Sequence, residues 1–346
     1  MMNYNKNIED ISRPIGKEEI VFFTKSSNNN YLYCLLKNGT INVYRFDIRI
    51  KNFILEKKEI KPKCKFLTLK ENKNKLPIFQ LKYLFCEINE NSFIFGRTLD
   101  RTLIYYNFIE DFQTSFLFKS YTISIISIKN NEFITGNDNG QLCKWKINVD
   151  IKEKKVDLEL LLLVKSNQNA ITSLYYDERL NIIASGDTNT LSIRKLYDFE
   201  YFNSIRIQEG ENKYISDIKI SDFNFIYLLV YVEDKNRYEL QGYTLNGTYF
   251  GKYVGSLFNF QISKTGKLLV NEMDKDQLII NVLNPVNFTE IHCKEIITKE
   301  PSLSFHFYFE RPNIIYYGIK DKEYTKIKIM FLYPEEKNIF YMNDIC

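Results

Sequence analysis

The sequence predicts an all-β protein built from repeated four-stranded units, on three observations: its choice of apolar residues, a recurring turn frame, and the spacing of that frame. Its 346 residues include 25 Tyr and 27 Phe, yet alanine occurs only at Ala170 and Ala184. Aromatic and β-branched side chains suit a pleated, half-buried surface, whereas helical chains draw freely on alanine and leucine. Four segments share one frame of short apolar run, tight polar turn and alternating strand. They read YLYCLLKNGTINVYRF from Tyr31, SFIFGRTLDRTLIYYNF from Ser92, EFITGNDNGQLCKWKI from Glu132 and NIIASGDTNTLSIRKL from Asn181.

Aligned on the turn, Asn38, Asp100, Asn139 and Thr188 share a position. Three residues on stand Ile41, Leu103, Leu142 and Leu191; six residues on stand Tyr44, Tyr106, Trp145 and Arg194. A large group at a fixed offset along a strand faces one side of its sheet, where it fills the same gap between neighbouring sheets in each copy. Asn38-Gly39 and Asn139-Gly140 are strong hairpin signals and are expected as two-residue turns with positive φ at both central positions.

The turn positions are 62, 39 and 49 residues apart, which brackets the roughly 40 to 45 residues of a four-stranded propeller blade. Each copy follows a strand-like run: EEIVFFT at Glu18, PIFQLKYLFCEI at Pro77, TISIISIK at Thr122 and AITSLYYD at Ala170. A fourth strand follows each, as FNSIRIQ does from Phe202. Further blades are expected from Ile215, with a hairpin at Asn246-Gly247, from Phe258, with turns at Thr265-Gly266 and Asp274 to Asp276, and from Leu303. The expectation is therefore an all-β, seven-bladed propeller with four antiparallel strands per blade. Residues 1–17 are an N-terminal tail and residues 18–346 a single domain.

Hydrophobic residues make up 45% of the chain and charged ones 26%, with 47 Lys and Arg against 43 Asp and Glu. A net charge of +4 does not demand nucleic acid as a partner. The opening MMNYNKNIEDISRPIG lacks the apolar core of a secretory signal, and LELLLLV from Leu158 is too short for a membrane helix. Cys34, Cys64, Cys86, Cys143, Cys293 and Cys346 form no CxxC pair, so neither a zinc site nor a compact disulfide framework is signalled. A cytoplasmic location with reduced thiols is expected. The Asn-x-Ser/Thr triplets at Asn38, Asn246 and Asn287 are chance matches in an Asn-rich chain.

The stretch FITGNDNGQLCKWK resembles the second-to-third strand signature of a WD40 repeat, with Trp145 at the signature tryptophan and Lys146 replacing the following aspartate. NAITSLYYDERLNIIASGDTNTLSIRKLYDFEYF from Asn169 resembles a late WD40 repeat of the BEACH (neurobeachin-like) family, in which Arg-x-Leu, here Arg194 and Leu196, stands in place of Trp-Asp. YELQGYTLNGTYF, FQISKTGKLLV and FGRTLDRTLIYY are similar to other parts of that family's propeller. The resemblance spans about Ile20 to Cys293 and is most specific from Phe133 to Leu269. It implies a WD40-type propeller serving as a non-catalytic protein-interaction scaffold in vesicle trafficking or membrane organisation, monomeric or within a larger complex. With histidine only at positions 292 and 306, the family's buried His-Ser-Trp-Asp network is expected to be absent.

No catalytic, cofactor-binding or metal-ligating residue is predicted, since HExxH, P-loop, GxSxG and paired-cysteine motifs are all missing. Trp145 reads either as a partner-binding anchor or as packing between blades, and its shared position with Tyr44 and Tyr106 favours packing. His292 and Cys293 are adjacent, so on a strand they face opposite sides; His306, in LSFHFYFE, reads as a strand histidine. Lys57, Lys58, Lys61, Lys63 and Lys65 form the main basic cluster. It supports an alternative function, peripheral binding of anionic lipid head groups, although Glu56 and Glu59 favour a solvated loop running to Lys75.

Overall fold

The structure, a computed structural model, describes residues 8–10, 20–26, 31–36, 40–47, 52–60, 83–98, 100–207, 213–262, 266–274, 277–297, 307–311, 314–320 and 325–331. The first strand, β1 (Ile8–Asp10), stands apart from the sheet that follows it. Sheet one is β2 (Ile20–Lys25), β3 (Tyr31–Leu36), β4 (Ile41–Asp47) and β5 (Asn52–Ile60), hydrogen-bonded in chain order. Sheet two is β6 (Tyr83–Asn89), β7 (Ser92–Arg97), β8 (Thr102–Asn107) and β9 (Phe112–Leu117), and sheet three is β10 (Thr122–Ile128), β11 (Glu132–Asn137), β12 (Gln141–Asp150) and β13 (Lys155–Lys165). Sheet four is β14 (Ser173–Asp177), β15 (Ile182–Gly186), β16 (Thr190–Lys195) and β17 (Tyr201–Arg206). Sheet five is β18 (Lys213–Ile220), β19 (Phe225–Val232), β20 (Arg237–Thr244) and β21 (Tyr249–Gly255), and sheet six is β22 (Leu257–Ile262), β23 (Leu268–Asp274), β24 (Gln277–Leu283) and β25 (Glu290–Ile297).

The last sheet differs in its origin. Only β26 (Phe307–Arg311), β27 (Ile314–Lys320) and β28 (Thr325–Phe331) come from the C-terminal stretch, and β1 completes it by pairing antiparallel with β28, Ile8 opposite Met330. The segment expected as a tail therefore contains a strand. Periodicity could not have shown this, because three residues are too few to carry a pattern and their partner lies at the other end of the chain.

The second strands explain the near-continuous apolar runs of the repeat. β7, β11 and β15 are buried along almost their whole length, because each sheet is covered on both faces. Apolar clusters straddle successive sheets. Tyr33 and Val43 of sheet one pack with Phe93 and Tyr106 of sheet two, and Leu84 and Tyr105 of sheet two with Phe133 and Ile147 of sheet three. Comparable clusters join sheets three and four, four and five, and five and six. The first strands β6, β10, β14, β18 and β22 lie beside one another in turn, and β26 lies beside β2.

The frame holds, with one correction. Leu32 pairs with Tyr44, Phe93 with Tyr106, Phe133 with Trp145 and Ile183 with Arg194. The turn after β11 is not a two-residue hairpin: Gly140 has φ +75° while Asn139 is not at positive φ. The Gly140 amide donates to the Asn137 carbonyl at 3.1 Å, so a β-turn over Asn137 to Gly140 ends in a left-handed glycine, the three-residue alternative for this connection. Asn246-Gly247 repeats it, with Gly247 at φ +92° donating to Thr244 O at 2.9 Å. Asn38, Gly39 and Thr265 lie outside the described residues, as do Lys275 and Asp276.

Between sheets four and five sits a buried polar chain. Tyr243 packs with Ile193 and Ile205 of sheet four, and Glu239 and Gln241 share its face of β20. The Tyr243 hydroxyl donates to Gln241 Oε1 at 2.7 Å, and Gln241 Nε2 donates to Glu239 Oε2 at 3.1 Å. Lys252 Nζ and Arg237 Nη2 reach Glu239 Oε1 at 3.1 and 3.3 Å. Burial alone would raise the Glu239 carboxyl, but the hydrogen bonds from Lys252, Gln241 and Arg237 outweigh it and hold the group below its ordinary value. A carboxyl depressed in the folded state contributes fully above its unfolded pKa, and that contribution is lost as pH falls through the folded one. Glu239→Gln is accordingly expected to cost about 2 kcal/mol at pH 7. The gap to the parent should close as pH falls through and below the ordinary carboxylate range, as read by urea unfolding; a pH-independent difference would count against a charged Glu239.

Candidate interaction surface

In an antiparallel meander, the turns joining first to second and third to fourth strands lie at one end of each sheet, here called the lower end. The second-to-third turns and the connections between sheets lie at the upper end. Side chains lock the lower-end turns. Asn107 Oδ1 accepts from the amides of Ile109 and Glu110 at 3.1 and 2.9 Å, Asp177 Oδ1 from Leu180 at 2.9 Å, and Asn284 Oδ1 from Val286 at 2.9 Å. Short amide and carboxylate side chains bond their own backbone two or three residues on, which is why a chain rich in Asn and Asp makes rigid turns.

The third-to-fourth turns of sheets four and six are copies of one another. Phe199 and Phe288 have φ +59° and +58°, and their amides donate to Lys195 O and Asn284 O at 3.1 and 3.0 Å. A left-handed phenylalanine is strained and persists only where packing compels it; both are buried. Sinking that ring into the core leaves the residue two before it, Tyr197 or Val286, pointing into solvent. The exposure of Tyr197, at 82%, is thus built into its turn.

Hydrogen bonds join these turns from sheet to sheet. Asn89 Nδ2 donates to Asn131 Oδ1 at 3.2 Å, Lys154 Nζ to Glu110 O at 3.2 Å, and Lys129 pairs with Glu178. Arg179 Nη2 donates to Asn224 Oδ1 at 2.8 Å, Asn203 Nδ2 to Leu245 O at 2.9 Å, and the Tyr227 hydroxyl to Pro285 O at 3.1 Å. Sheets two to six therefore present one continuous lower surface. Its turns expose Ile109, Ile151, Tyr197, Phe223 and Val286, while the other exposed large apolar side chains among the described residues lie on fourth strands, including Tyr201 and Phe202 on β17. The upper-end turns present Arg101, Asp138, Asn139, Gln168 and Asn169 instead. Among the described residues, the lower-end turns thus carry exposed apolar side chains and the upper-end turns polar ones, with Leu117 exposed where β9 reaches the upper end.

The residues singled out from the sequence fall elsewhere. Trp145 lies between sheets two and three, edge-on to Phe118 at 5.1 Å and stacked on Phe133 at 6.5 Å. Its Nε1 donates to Thr135 Oγ1 at 3.0 Å. Tyr106 takes the same place one sheet earlier, donating to Asp111 Oδ1 at 2.5 Å, and Tyr44 is buried in sheet one. Arg194 bonds Ser166 Oγ and Phe199 O at 3.1 and 2.8 Å, with burial holding its pKa below the usual value. These are packing positions.

Lys57 and Lys58 belong to strand β5 with Glu56 and Glu59, which corrects the expected loop; Lys61, Lys63 and Lys65 lie outside the described residues. His292 and Cys293 are consecutive in β25, and His306 is outside the described residues. Cys34, Cys86 and Cys143 are buried free thiols, those of Cys34 and Cys86 pushed up by desolvation. Among the described residues, no group of three or more His, Cys, Asp or Glu side chains is placed to hold a metal ion. The exposed turn residues escaped the sequence reading, although each stands one to three residues from an Asn or Asp that shapes its turn, as in YNFIED, KLYDFE and LNPVNF.

No family model matches this chain, and no curated protein matches it; nothing in the comparisons supports the BEACH resemblance in particular. Among solved structures, the chain is similar to the β-propeller domain of Cps50 (Swd1) from Myceliophteria thermophila. The identity is 11% and the TM-score 0.60, over 94% of this chain and 100% of that one. At that identity the likeness speaks for architecture only, and together with the four-stranded sheets it shows that this chain has a β-propeller fold.

Proposed function

We propose that the chain is a closed seven-bladed propeller acting as a non-catalytic protein-interaction platform, with its lower end as a docking face. The observation that carries this reading is the segregation of exposed apolar side chains to the lower-end turns and fourth strands, on turns locked by their own hydrogen bonds. Rigid blades carrying preorganised turns bind partners at little ordering cost. Closure is supported by β1 completing the last sheet and by β26 lying beside β2, which makes residues 8–10 part of the domain proposed for residues 18–346. The resemblance to BEACH-family propellers favours a cytoplasmic setting, in vesicle trafficking or membrane organisation.

Proximity labelling in cells tests this, comparing the parent with a Tyr197→Ser/Phe223→Ser variant whose folding is checked by its melting temperature. The platform reading expects a reproducible set of membrane-trafficking neighbours that shrinks in the variant. An unchanged set would overturn the lower-end assignment, and an exclusively nuclear set would overturn the trafficking setting.

A further inference from the structure

Two Asn-Gly dipeptides lie on turns of the same build, Asn139-Gly140 at the upper end of sheet three and Asn246-Gly247 at the lower end of sheet five. In each the left-handed glycine donates its amide three residues back, at 3.1 Å to Asn137 O and at 2.9 Å to Thr244 O. Both asparagines are exposed, but their side chains are held differently. Asn139 Oδ1 accepts from the Gln141 amide at 3.2 Å, and its Nδ2 donates to Gln141 Oε1 at 2.8 Å and to Ser120 Oγ at 3.4 Å. Among the described residues, no hydrogen bond holds the Asn246 side chain. The glycines differ too. A Cβ on Gly140 would lie 2.2 Å from Asn167 O, and the amides of Ser166 and Asn167 donate to Gly140 O. A Cβ on Gly247 would meet only Ile205 Cγ1, at 3.4 Å, and no turn or loop amide among the described residues donates to Gly247 O.

We infer that Asn246 is a site of spontaneous deamidation, which places a carboxylate on the lower surface, and that its surroundings protect Asn139 from the same reaction. The chemistry needs only water. Once the Gly247 amide has given its proton to hydroxide, its nitrogen adds to Asn246 Cγ. The N–Cγ bond forms, the Cγ–Nδ2 bond breaks, and the side-chain nitrogen leaves as ammonia, taking a proton from water. Water then opens the five-membered succinimide at either carbonyl, giving aspartate or isoaspartate with no change of oxidation state. Ring closure needs an asparagine side chain free to turn toward the next nitrogen, and a next residue with no Cβ to obstruct it and with freedom to change its backbone angles. The Gly247 amide must first leave Thr244 O, but Gly140 carries the matching bond, so the distinction rests on the side chain and on the clamp around the glycine. Asn203 Nδ2 of β17 donates to Leu245 O at 2.9 Å, so the new charge, and in isoaspartate the longer backbone, arises where sheets four and five meet. Because the reaction is intramolecular, the inference stands independently of the docking face.

The test incubates the full folded chain at mildly alkaline pH and follows each asparagine by peptide mass mapping, with aspartate and isoaspartate products separated by retention time. A parallel sample is held in urea. In the folded chain, conversion at Asn246 is expected to be at least about tenfold faster than at Asn139, because the hydrogen bonds of the Asn139 side chain must break before its ring can close. In urea the two rates should converge, since both dipeptides then keep their glycine and lose their surroundings. Asn246→Gln, whose ring would need six members, should abolish the mass gain in its peptide. Equal rates in the folded chain would overturn the inference, as would an Asn246 that stays intact when folded yet converts in urea, which would show that the Gly247 bond to Thr244 O protects the turn. A tenfold difference that persists in urea would assign the selectivity to neighbouring residues in the sequence rather than to the fold, and a mass gain that survives Asn246→Gln would place the reaction at another residue.

Discussion

Phe133→Ala is expected to destabilise the protein by about 3 to 5 kcal/mol, the largest cost of any single truncation discussed. Phe133 is wholly buried on β11, a strand covered on both faces, and its ring lies against Trp145 across the strand pair. Its cluster draws Leu84, Cys86 and Tyr105 from sheet two, so the cavity would open between two sheets rather than at the margin of one. Trp145→Ala removes more atoms but should cost less, about 2 to 3 kcal/mol, because part of the indole already meets solvent and that part gains nothing from burial. Part of that cost comes from Thr135, fully buried and left without its donor. Urea unfolding with unchanged slopes reads both values. A Trp145→Ala cost exceeding that of Phe133→Ala would show that the tryptophan, and not the phenylalanine behind it, anchors sheet three to sheet two.

That ordering bears on how much the sequence could disclose. Trp145 drew attention as the only tryptophan, and its repeat position correctly marked it as a packing residue. The frame also placed the strand pairs correctly, since the aromatic offset and the alternation both follow from strand geometry, which is local. Three features were not legible, each for its own reason. β1 pairs with a strand more than 300 residues away, Ile8 opposite Met330, and nothing local records such a partner. At Asn139-Gly140 the carbonyls of Asn167 and Asn169, in the connection to sheet four, crowd the glycine, and the dipeptide alone is compatible with more than one turn. The exposure of Tyr197 depends on Phe199 adopting a left-handed conformation that no propensity would assign to phenylalanine. Asn and Asp in the turns were visible, yet composition cannot separate an Asn that shapes a turn from one that is merely abundant.

Gly140→Ala is expected to cost about 3 kcal/mol, from two separable sources. At φ +75° a non-glycine residue carries backbone strain of about 1 to 2 kcal/mol. In addition, an added Cβ would lie 2.2 Å from Asn167 O and 2.8 Å from Asn169 O. Neither is the end of a flexible side chain: the amides of Ser166 and Asn167 donate to Gly140 O at 3.0 and 3.1 Å, tying that backbone to the turn it would have to leave. Overpacking against fixed neighbours costs about 1 to 3 kcal/mol more. Gly247→Ala isolates the first source. Its glycine stands at φ +92° in a turn of the same build, but an added Cβ would meet only Ile205 Cγ1, at 3.4 Å. The difference between the two variants in urea unfolding therefore measures the close approach between sheets three and four. Equal costs would mean that the connection from Ser166 to Asn169 yields freely, and that the upper end of these sheets is held by their apolar cluster rather than by backbone contact.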